Sequence, residues 1–273
     1  MTRPAKRCLE GIPLLHSSWA DPSPVDPWAA ETAQAHLAVV DAALPGLVRS
    51  LYLVGSAVSG DFRPGASDVN FVAATQGPAP AHAVEAIHRS IRPEHPLSFL
   101  DGIYVTEEEL LLGTWAATGP HVRRGRFRPT GSHGRRALDR YAFATGAWAV
   151  RGSTPMGLEH RIPLRDVNND LMLLAAEAAA HRQAPRAWEA SSLVLGTARL
   201  HCTLLTGRLT TKTDAGLYGL MTFPQCWAPV LEQALAVRRD GANSPVALRP
   251  GEVAAFTAMV ATDMQELVLD VRG

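Results

Sequence analysis

The stretch GSAVSGDFRPGASDVNFV, residues 55–72, connects two short apolar runs of the sequence. Gly55 lets the backbone come close to a bulky group, and Ser56 adds a hydroxyl donor. A small residue that ends a strand and opens a helix offers backbone N–H groups to phosphates. We therefore predict a phosphate-binding loop between two buried strands.

The residues around this loop predict a sheet with flanking helices. Apolar runs predict strands over 51–54, 69–74 and 97–105, and helical spacing predicts helices over 29–43, 80–91 and 107–112. Residues 119–134 are basic and rich in glycine and proline, which predicts a loop or hairpin. Residues 145–152, TGAWAVRG, resemble the helix and turn that end this domain in the actinobacterial branch of the family named below.

The second half of the sequence predicts only helices, over 166–182, 187–206, 213–222, 225–239 and 250–272. We therefore predict an α+β chain with two domains. Residues 1–160 form a mixed sheet with flanking helices, and residues 161–273 form an all-α helical bundle.

Polar residues in and beside two predicted strands indicate a site. Asp68 and Asn70 are two residues apart, so their side chains project to the same face of a strand. Asp101 lies inside an otherwise apolar strand, where a carboxylate is costly to bury unless it is paired or bound to a metal. Magnesium prefers such oxygen ligands. The alternative for Asp101 is a strand-edge carboxylate that backbone N–H groups satisfy.

Composition excludes several classes of protein. The 273 residues are 47% hydrophobic and 19% charged, as in globular proteins, and 26 basic residues balance 26 acidic ones. This balance gives no reason to expect a nucleic-acid or membrane partner. Without a signal peptide, a membrane span or a cysteine framework, we expect a cytoplasmic monomer. The ten histidines form no HxxxH or HxH pair, and no GxSxG motif occurs, which disfavours zinc enzymes and serine hydrolases.

The spaced set Gly55, Ser56, Gly60, Ser67 and Asp68 resembles the signature of the nucleotidyltransferase superfamily. That signature is a Gly-Ser pair, a loop, and then Ser-Asp-x-Asp on the next strand. The sequence departs from it at one position, where Asn70 replaces the second aspartate. Asparagine offers one neutral oxygen in place of a charged carboxylate, so we expect weaker metal binding.

Residues 193–216 resemble the helical domain of streptomycin/spectinomycin adenylyltransferases, and the likeness extends over about residues 30–270. The resemblance implies that Arg199 and Lys212 bind the ATP phosphates; the alternative is that both are solvated helix residues. It also implies that Trp188 and Glu189 bind a cationic drug, although this sequence has fewer acids there than the family. Charge could come instead from two acids of the preceding helix, Asp170 and Glu177.

The same resemblance assigns roles around the loop. Gly55, Ser56 and Ser67 would bind the nucleotide, and Asp68, Asn70 and Asp101 would hold Mg²⁺. Asp101 would also take a proton from the hydroxyl group of the acceptor, with Asp68 as the second catalytic carboxylate. The family usually has glutamate at the position of Asp101. ATP and Mg²⁺ are therefore the expected cofactors, and an aminoglycoside-like molecule is the expected acceptor.

Three functions remain compatible with the sequence because of Asn70. The first is an adenylyltransferase with a weakened metal site, which we favour. The second is a protein of the same fold that binds nucleotide or ligand without turnover. The third is a binding or regulatory protein that has lost both sites, and it predicts no binding of ATP.

Overall fold

A computed structural model describes residues 24–64, 66–113, 115–153, 166, 170, 186–241 and 244–270, without the side chains of 267–270. The predicted helix over 166–182 lies outside these residues except at Asp166 and Asp170. The contacts of the backbone divide the chain into two compact units at Asp170, whereas the sequence placed the boundary at residue 160. Each unit is described separately below.

The N-terminal unit contains one mixed sheet. Six strands of its described residues pair in the order β5-β4-β3-β2-β1-β6. Their bounds are β1 Val48–Leu53, β2 Val69–Thr75, β3 Leu100–Thr106, β4 His121–Arg123, β5 Arg126–Arg128 and β6 Trp148–Arg151. The central strands β2 and β3 are parallel, and every other neighbouring pair is antiparallel.

Helices connect these strands and cover the sheet. They are α1 Pro27–Ala43, α2 Ala81–Arg89, α3 Glu107–Leu112 and α4 Ala137–Gly146. Asp26 begins α1, because its carboxylate accepts a hydrogen bond from the N–H of Ala29 at 3.0 Å. A capping box of Thr106 and Glu109 begins α3 directly after β3.

Side chains alternate between the two faces of the sheet, and each face packs against a separate core. One face carries a buried cluster made of Tyr52, Val72, Ala74, Ile103, Val105, Leu110, Trp115 and Phe143. On the opposite face Phe71 and Tyr104 contact His36 of α1, and His88 of α2 completes this layer. This alternation decides which face the polar residues of β2 and β3 share.

Two sequence predictions about element bounds were wrong. The strand predicted from residue 97 begins at Leu100, because Pro96–Phe99 form a turn of 3-10 helix in which proline fixes the backbone angle φ. Residues 145–152 do not form a terminal helix and turn, because Trp148–Arg151 form the edge strand β6. The basic segment forms the hairpin β4–β5, with Arg123, Arg124, Arg126 and Arg128 exposed.

The C-terminal unit is helical over its described residues. Its helices are α5 Ala187–Thr206, α6 Lys212–Thr222, α7 Ala228–Asp240 and α8 Pro250–Asp270. Helix α5 packs against the other three and buries Val194, Leu195, Ala198 and Leu200. The imidazole of His201 links three helices, since it hydrogen-bonds the Tyr218 hydroxyl and the Asp263 carboxylate at 2.8 Å each. Among the described residues, no helix is both long and apolar enough to cross a membrane.

Candidate active site

Gly55 forms the turn that follows β1. It opens a short 3-10 helix, Gly55–Val58, with φ at +71°, a backbone angle that favours glycine. A Cβ atom built on Gly55 would lie 3.2 Å from Oδ1 of Asn70. The amide side chain of Asn70 therefore lies directly against the turn. Any larger residue at position 55 would be strained and would also press on Asn70.

Asn70 and Asp101 lie side by side at the start of the two parallel strands. The register of β2 and β3 pairs Asn70 with Asp101, and Val72 with Ile103. Since residues two apart share a face, Asn70 and Asp101 both project to the face that carries Val72 and Ile103. Asp101 is buried, whereas Asn70 is half-buried. The fold thus brings a carboxylate, an amide oxygen and the Gly55 turn together.

Ser67 and Asp68 lead into β2. The hydroxyl oxygen of Ser67 is buried and accepts a hydrogen bond from the N–H of Arg63 at 3.0 Å, while the N–H of Ser67 donates to the Arg63 carbonyl at 2.7 Å. Ser67 therefore closes the loop that returns the chain to β2. Asp68 is half-buried and precedes Asn70 by two residues. Ser56 is half-buried in the turn of 3-10 helix.

Asp101 has a partner that the sequence did not predict. Nε2 of His133 makes a short hydrogen bond with Oδ1 of Asp101. Burial disfavours the charged imidazolium, but the hydrogen bond to Asp101 and its negative charge outweigh burial, so the pKa of His133 is raised above its ordinary value. The sequence gives no signal for this contact, because no spacing motif connects His133 with a residue 32 positions away.

The side chains at the start of β2 and β3 offer oxygen ligands of the kind that Mg²⁺ prefers. Asp68 and Asp101 supply carboxylates, and Asn70 supplies an amide oxygen. Within the described ranges, no cluster of three or more His, Cys, Asp or Glu side chains could hold a metal ion. Asp68, Asn70 and Asp101 together offer two carboxylates and one neutral amide, which is less negative charge than three carboxylates would carry.

Two basic residues that the sequence singled out lie in the C-terminal unit. Lys212 is the first residue of α6, whose cap is Thr211: its hydroxyl oxygen accepts a hydrogen bond from the N–H of Asp214 at 3.0 Å. Arg199 is half-buried on α5. A lysine at a helix N-terminus interacts unfavourably with the helix dipole. The carboxylate of Asp214 in the first turn interacts favourably with the same dipole and offsets this effect.

The residues predicted to bind a cationic drug are engaged within the helical unit. The ring of Trp188 faces the guanidinium of Arg238 at 5.2 Å from the ring centroid, which is within the range of a cation–π interaction. The carboxylate of Glu189 accepts a hydrogen bond from the N–H of Arg186 at 3.3 Å and caps α5. Both side chains therefore have structural roles in addition to any role in binding.

Asp170 caps a helix of the N-terminal unit. Its buried carboxylate accepts a hydrogen bond from the N–H of Leu138 at 2.7 Å, at the start of α4. Burial raises the pKa of Asp170 to about 6. This capping role explains why an acid is buried at position 170. Glu177, the other acid of the predicted helix, lies outside the described residues.

Two comparisons with known proteins gave a match. The family described as aminoglycoside adenylyltransferase, C-terminal domain, matches residues 166–263. The helical unit is therefore similar to the C-terminal domain of aminoglycoside adenylyltransferases. The structure is similar to a crystal structure of spectinomycin adenyltransferase AAD(9) from Enterococcus faecialis with ATP and spectinomycin. The TM-score is 0.65 at 17% sequence identity, over 86% of this chain and 98% of that chain. No curated protein sequence matches the chain.

The similarity to the spectinomycin adenyltransferase confirms the predicted α+β fold, a mixed sheet with flanking helices followed by a helical unit. The resemblance to the aminoglycoside adenylyltransferase family is confirmed as well. The matched residues 166–263 include every predicted site residue of the helical unit: Arg199, Lys212, Trp188 and Glu189.

Proposed function

We propose that this chain transfers AMP from ATP to a hydroxyl group of an aminoglycoside-like small molecule. The observation that carries the proposal is the pairing of Asn70 with Asp101 on parallel strands, beside the Gly55 turn. The similar spectinomycin adenyltransferase structure contains ATP and spectinomycin, and this supports ATP as the donor and an aminoglycoside as the acceptor.

In this reaction the acceptor oxygen attacks the α-phosphorus of ATP, and pyrophosphate leaves as the bond to the α-phosphorus breaks. We assign Asp101 as the group that takes the proton from the attacking hydroxyl, since a carboxylate positioned for this task typically contributes 10²–10⁴-fold to a rate. The Gly55 turn and Ser56 would bind phosphate oxygens through N–H and hydroxyl donors.

Asp68, Asn70 and Asp101 would hold Mg²⁺ together with the ATP phosphates. When bound there, the ion neutralises negative charge on the phosphates. Because Asn70 is neutral, the site carries one negative charge fewer than a site with aspartate at this position, so we expect a weaker metal contribution. Ser67 contributes indirectly by closing the loop before Asp68.

The helical unit would supply cations and the acceptor contacts. We propose that Arg199 and Lys212 bind the ATP phosphates, because a triphosphate requires compensating positive charge. Trp188 and Glu189 are the proposed acceptor contacts. We further propose that the protein is a monomer that acts in the cytoplasm, where ATP is available.

One experiment tests the reaction directly. The purified chain is titrated with ATP by calorimetry, with and without Mg²⁺, and then incubated with ATP and a panel of aminoglycosides while pyrophosphate release is followed. We expect Mg²⁺-dependent binding of ATP and release of pyrophosphate only when an acceptor is present. Loss of ATP binding under all conditions would contradict the proposal.

Asn70 favours a second candidate function, the binding of nucleotide without turnover. Loss of one carboxylate weakens stabilisation of the transition state, and each 1.4 kcal/mol corresponds to about tenfold in rate. The same experiment separates the two candidates: ATP binding without pyrophosphate release for any acceptor would favour the second.

A further inference from the structure

His133 reaches the sheet from a loop. It lies between β5 and α4, in a segment of the chain that belongs to no strand or helix. Despite this position, its ring lies at the start of β3 and hydrogen-bonds Asp101. A side chain on an unanchored loop would not hold a fixed hydrogen bond, so the way in which this loop is attached is decisive.

Arg135 anchors the loop two residues after His133. Its side chain is buried, and one terminal nitrogen donates to the carbonyl of Tyr104 at 2.6 Å. The other terminal nitrogen donates to the carbonyl of Ala116 at 3.3 Å and lies 3.8 Å from a carboxylate oxygen of Glu109. Hydrogen bonds from a charged donor to buried acceptors contribute more than neutral ones, so they attach the loop firmly to β3.

Gly134 completes this attachment. Its φ is +67°, and a Cβ atom at this position would lie 2.7 Å from Cγ2 of Ile103. The loop backbone thus lies directly on β3, next to the strand position that follows Asp101 on the same face. His133 is therefore placed between two residues, Gly134 and Arg135, that fix the loop to the sheet.

The His133–Asp101 contact involves two side chains of different exposure. The Asp101 side chain is 8% exposed and that of His133 is 34% exposed. Among the described residues, the Asp101 carboxylate hydrogen-bonds the side chain of His133, and this hydrogen bond involves Oδ1 only. A carboxylate held through one oxygen cannot rotate freely, so its second oxygen has a defined direction.

We propose that His133 is a positioning residue: it holds Oδ1 of Asp101 and thereby directs the second carboxylate oxygen toward the acceptor hydroxyl. This rests on the proposed adenylyl transfer, in which Asp101 takes the acceptor proton.

Three variants test the role in catalysis. His133→Ala removes the donor, whereas His133→Gln keeps an N–H donor at a similar distance from the backbone. His121→Gln is the matched local control, since the His121 ring lies 5.5 Å from that of His133 but hydrogen-bonds the carbonyl of Gly119. All three are compared by kcat and KM, after circular dichroism has shown that they are folded.

The proposal predicts a kcat effect without a KM effect. In His133→Ala, kcat should fall by roughly tenfold to a hundredfold, as for a misdirected catalytic group, while KM for ATP stays within about twofold. His133→Gln should regain most of kcat, and His121→Gln should resemble the wild type. Equal losses in the Ala and Gln variants, or an Ala variant within about twofold of the wild type, would overturn the proposal.

A measurement without turnover separates this proposal from the proposed function. Nitrogen-15 spectra of histidine-labelled protein should show a proton on Nε2 of His133, with its resonance displaced in Asp101→Asn. A proton on Nδ1 alone would overturn the positioning role. If no acceptor is turned over but the Nε2 proton is present, the proposed reaction fails while the hydrogen bond to Asp101 stands.

Discussion

The His133–Asp101 pair and a second group, made of His36, Tyr104 and His88, occupy opposite faces of the same sheet. The pKa values of the histidines in the two groups shift in opposite directions. His133 lies beside the carboxylate of Asp101, and its pKa is raised. On the other face, the hydroxyl of Tyr104 lies 3.2 Å from Nε2 of both His36 and His88. Burial, with a smaller repulsion from His88, lowers the pKa of His36 to about 3, and burial lowers that of His88 to about 4.

The comparison teaches that the carboxylate of Asp101 raises the pKa of His133, whereas burial without a carboxylate partner lowers the pKa values of His36 and His88. The side chain of His133 is partly exposed, so the His133–Asp101 pair is accessible to solvent and to charged reactants. The His36–Tyr104–His88 group is surrounded by Phe71 and Phe127 and stays neutral, so its role is structural. Each of the following predictions changes one side of this contrast.

Removing the carboxylate of the first group should have the largest effect. In Asp101→Asn we expect the rate of adenylyl transfer to fall by about 10³-fold, because the proton acceptor is lost and His133 loses its charged partner. Steady-state kinetics with ATP and the best acceptor of the panel measure this. The control is Glu85→Gln, which removes an exposed carboxylate on α2 and should leave the rate unchanged. An Asp101→Asn enzyme with more than a tenth of the wild-type rate would contradict the assignment.

Low pH should destabilise the N-terminal unit through the buried His36 and His88 of the second group. The folded-state pKa values of His36 and His88 lie below the ordinary value of 6.5, so the unfolded chain binds protons more readily. The stability they contribute is fully present above pH 6.5 and is lost as the pH falls toward 4 and 3. Between pH 7.5 and 5.5 we expect these two histidines to lower the free energy of unfolding of the N-terminal unit by about 3 kcal/mol, a loss that proton uptake by Asp170 partly offsets.

Urea unfolding at the two pH values checks this loss. His82→Gln removes an exposed histidine of α2 and should show the same pH dependence as the wild type. A free energy of unfolding that stays constant down to pH 5.5 would show that His36 and His88 are not held neutral.

Removing the hydroxyl between the buried histidines should have a smaller effect. Tyr104→Phe leaves the Nε2 atoms of His36 and His88 without this partner, while the packing of the ring is kept. Unsatisfied buried polar groups cost about 1–3 kcal/mol, so we expect a loss of about 2 kcal/mol at pH 7.5. Urea unfolding measures it, and Tyr52→Phe, whose hydroxyl donates to the Ser153 carbonyl at the margin of the unit, is the comparison variant. Equal stability of Tyr104→Phe and the wild type would contradict the bridging role.

Adding a carboxylate beside the first group should have the smallest effect. Asn70→Asp places a second negative charge next to Asp101, since the two positions are paired in the strand register. We expect ATP affinity in the presence of Mg²⁺ to rise by about tenfold, or about 1.4 kcal/mol, and to stay the same without Mg²⁺. Calorimetric titration separates the two conditions. An equal gain with and without the ion would mean that position 70 does not contribute to metal binding.

Much of the fold could be predicted because local signals agreed with it. The apolar runs of β1 and β2, the glycine after β1 and the long periodic helices of the second half all indicate their own structure. The edge strand β6 could not be predicted in this way, since its partner β1 lies about a hundred residues earlier and Trp148–Arg151 are only half-buried or exposed. Pairing over such a distance leaves little trace in local periodicity.

The candidate site could be predicted only where its residues follow a spacing. Asp68 and Asn70 are two residues apart at the start of a predicted strand, so a common face for them could be predicted from the sequence. The pairing of Asn70 with Asp101 requires the parallel register of β2 and β3, and the contact of His133 with Asp101 requires the loop that Arg135 anchors. Neither can be derived from spacing, because both depend on packing between distant segments.

The edge strand β6 also affects how the chain is synthesised. Its register joins Leu53 to Trp148 and Leu51 to Arg151, and the guanidinium of Arg151 reaches the carboxylate of Asp41 and the carbonyl of Val48. During translation, β1 has no partner on this side until Arg151 has left the ribosome. A nascent chain halted before Trp148 would expose the edge of β1, where a second chain could pair. The last strand of the sheet is therefore a natural point at which to test whether the N-terminal unit folds before the helical unit is made.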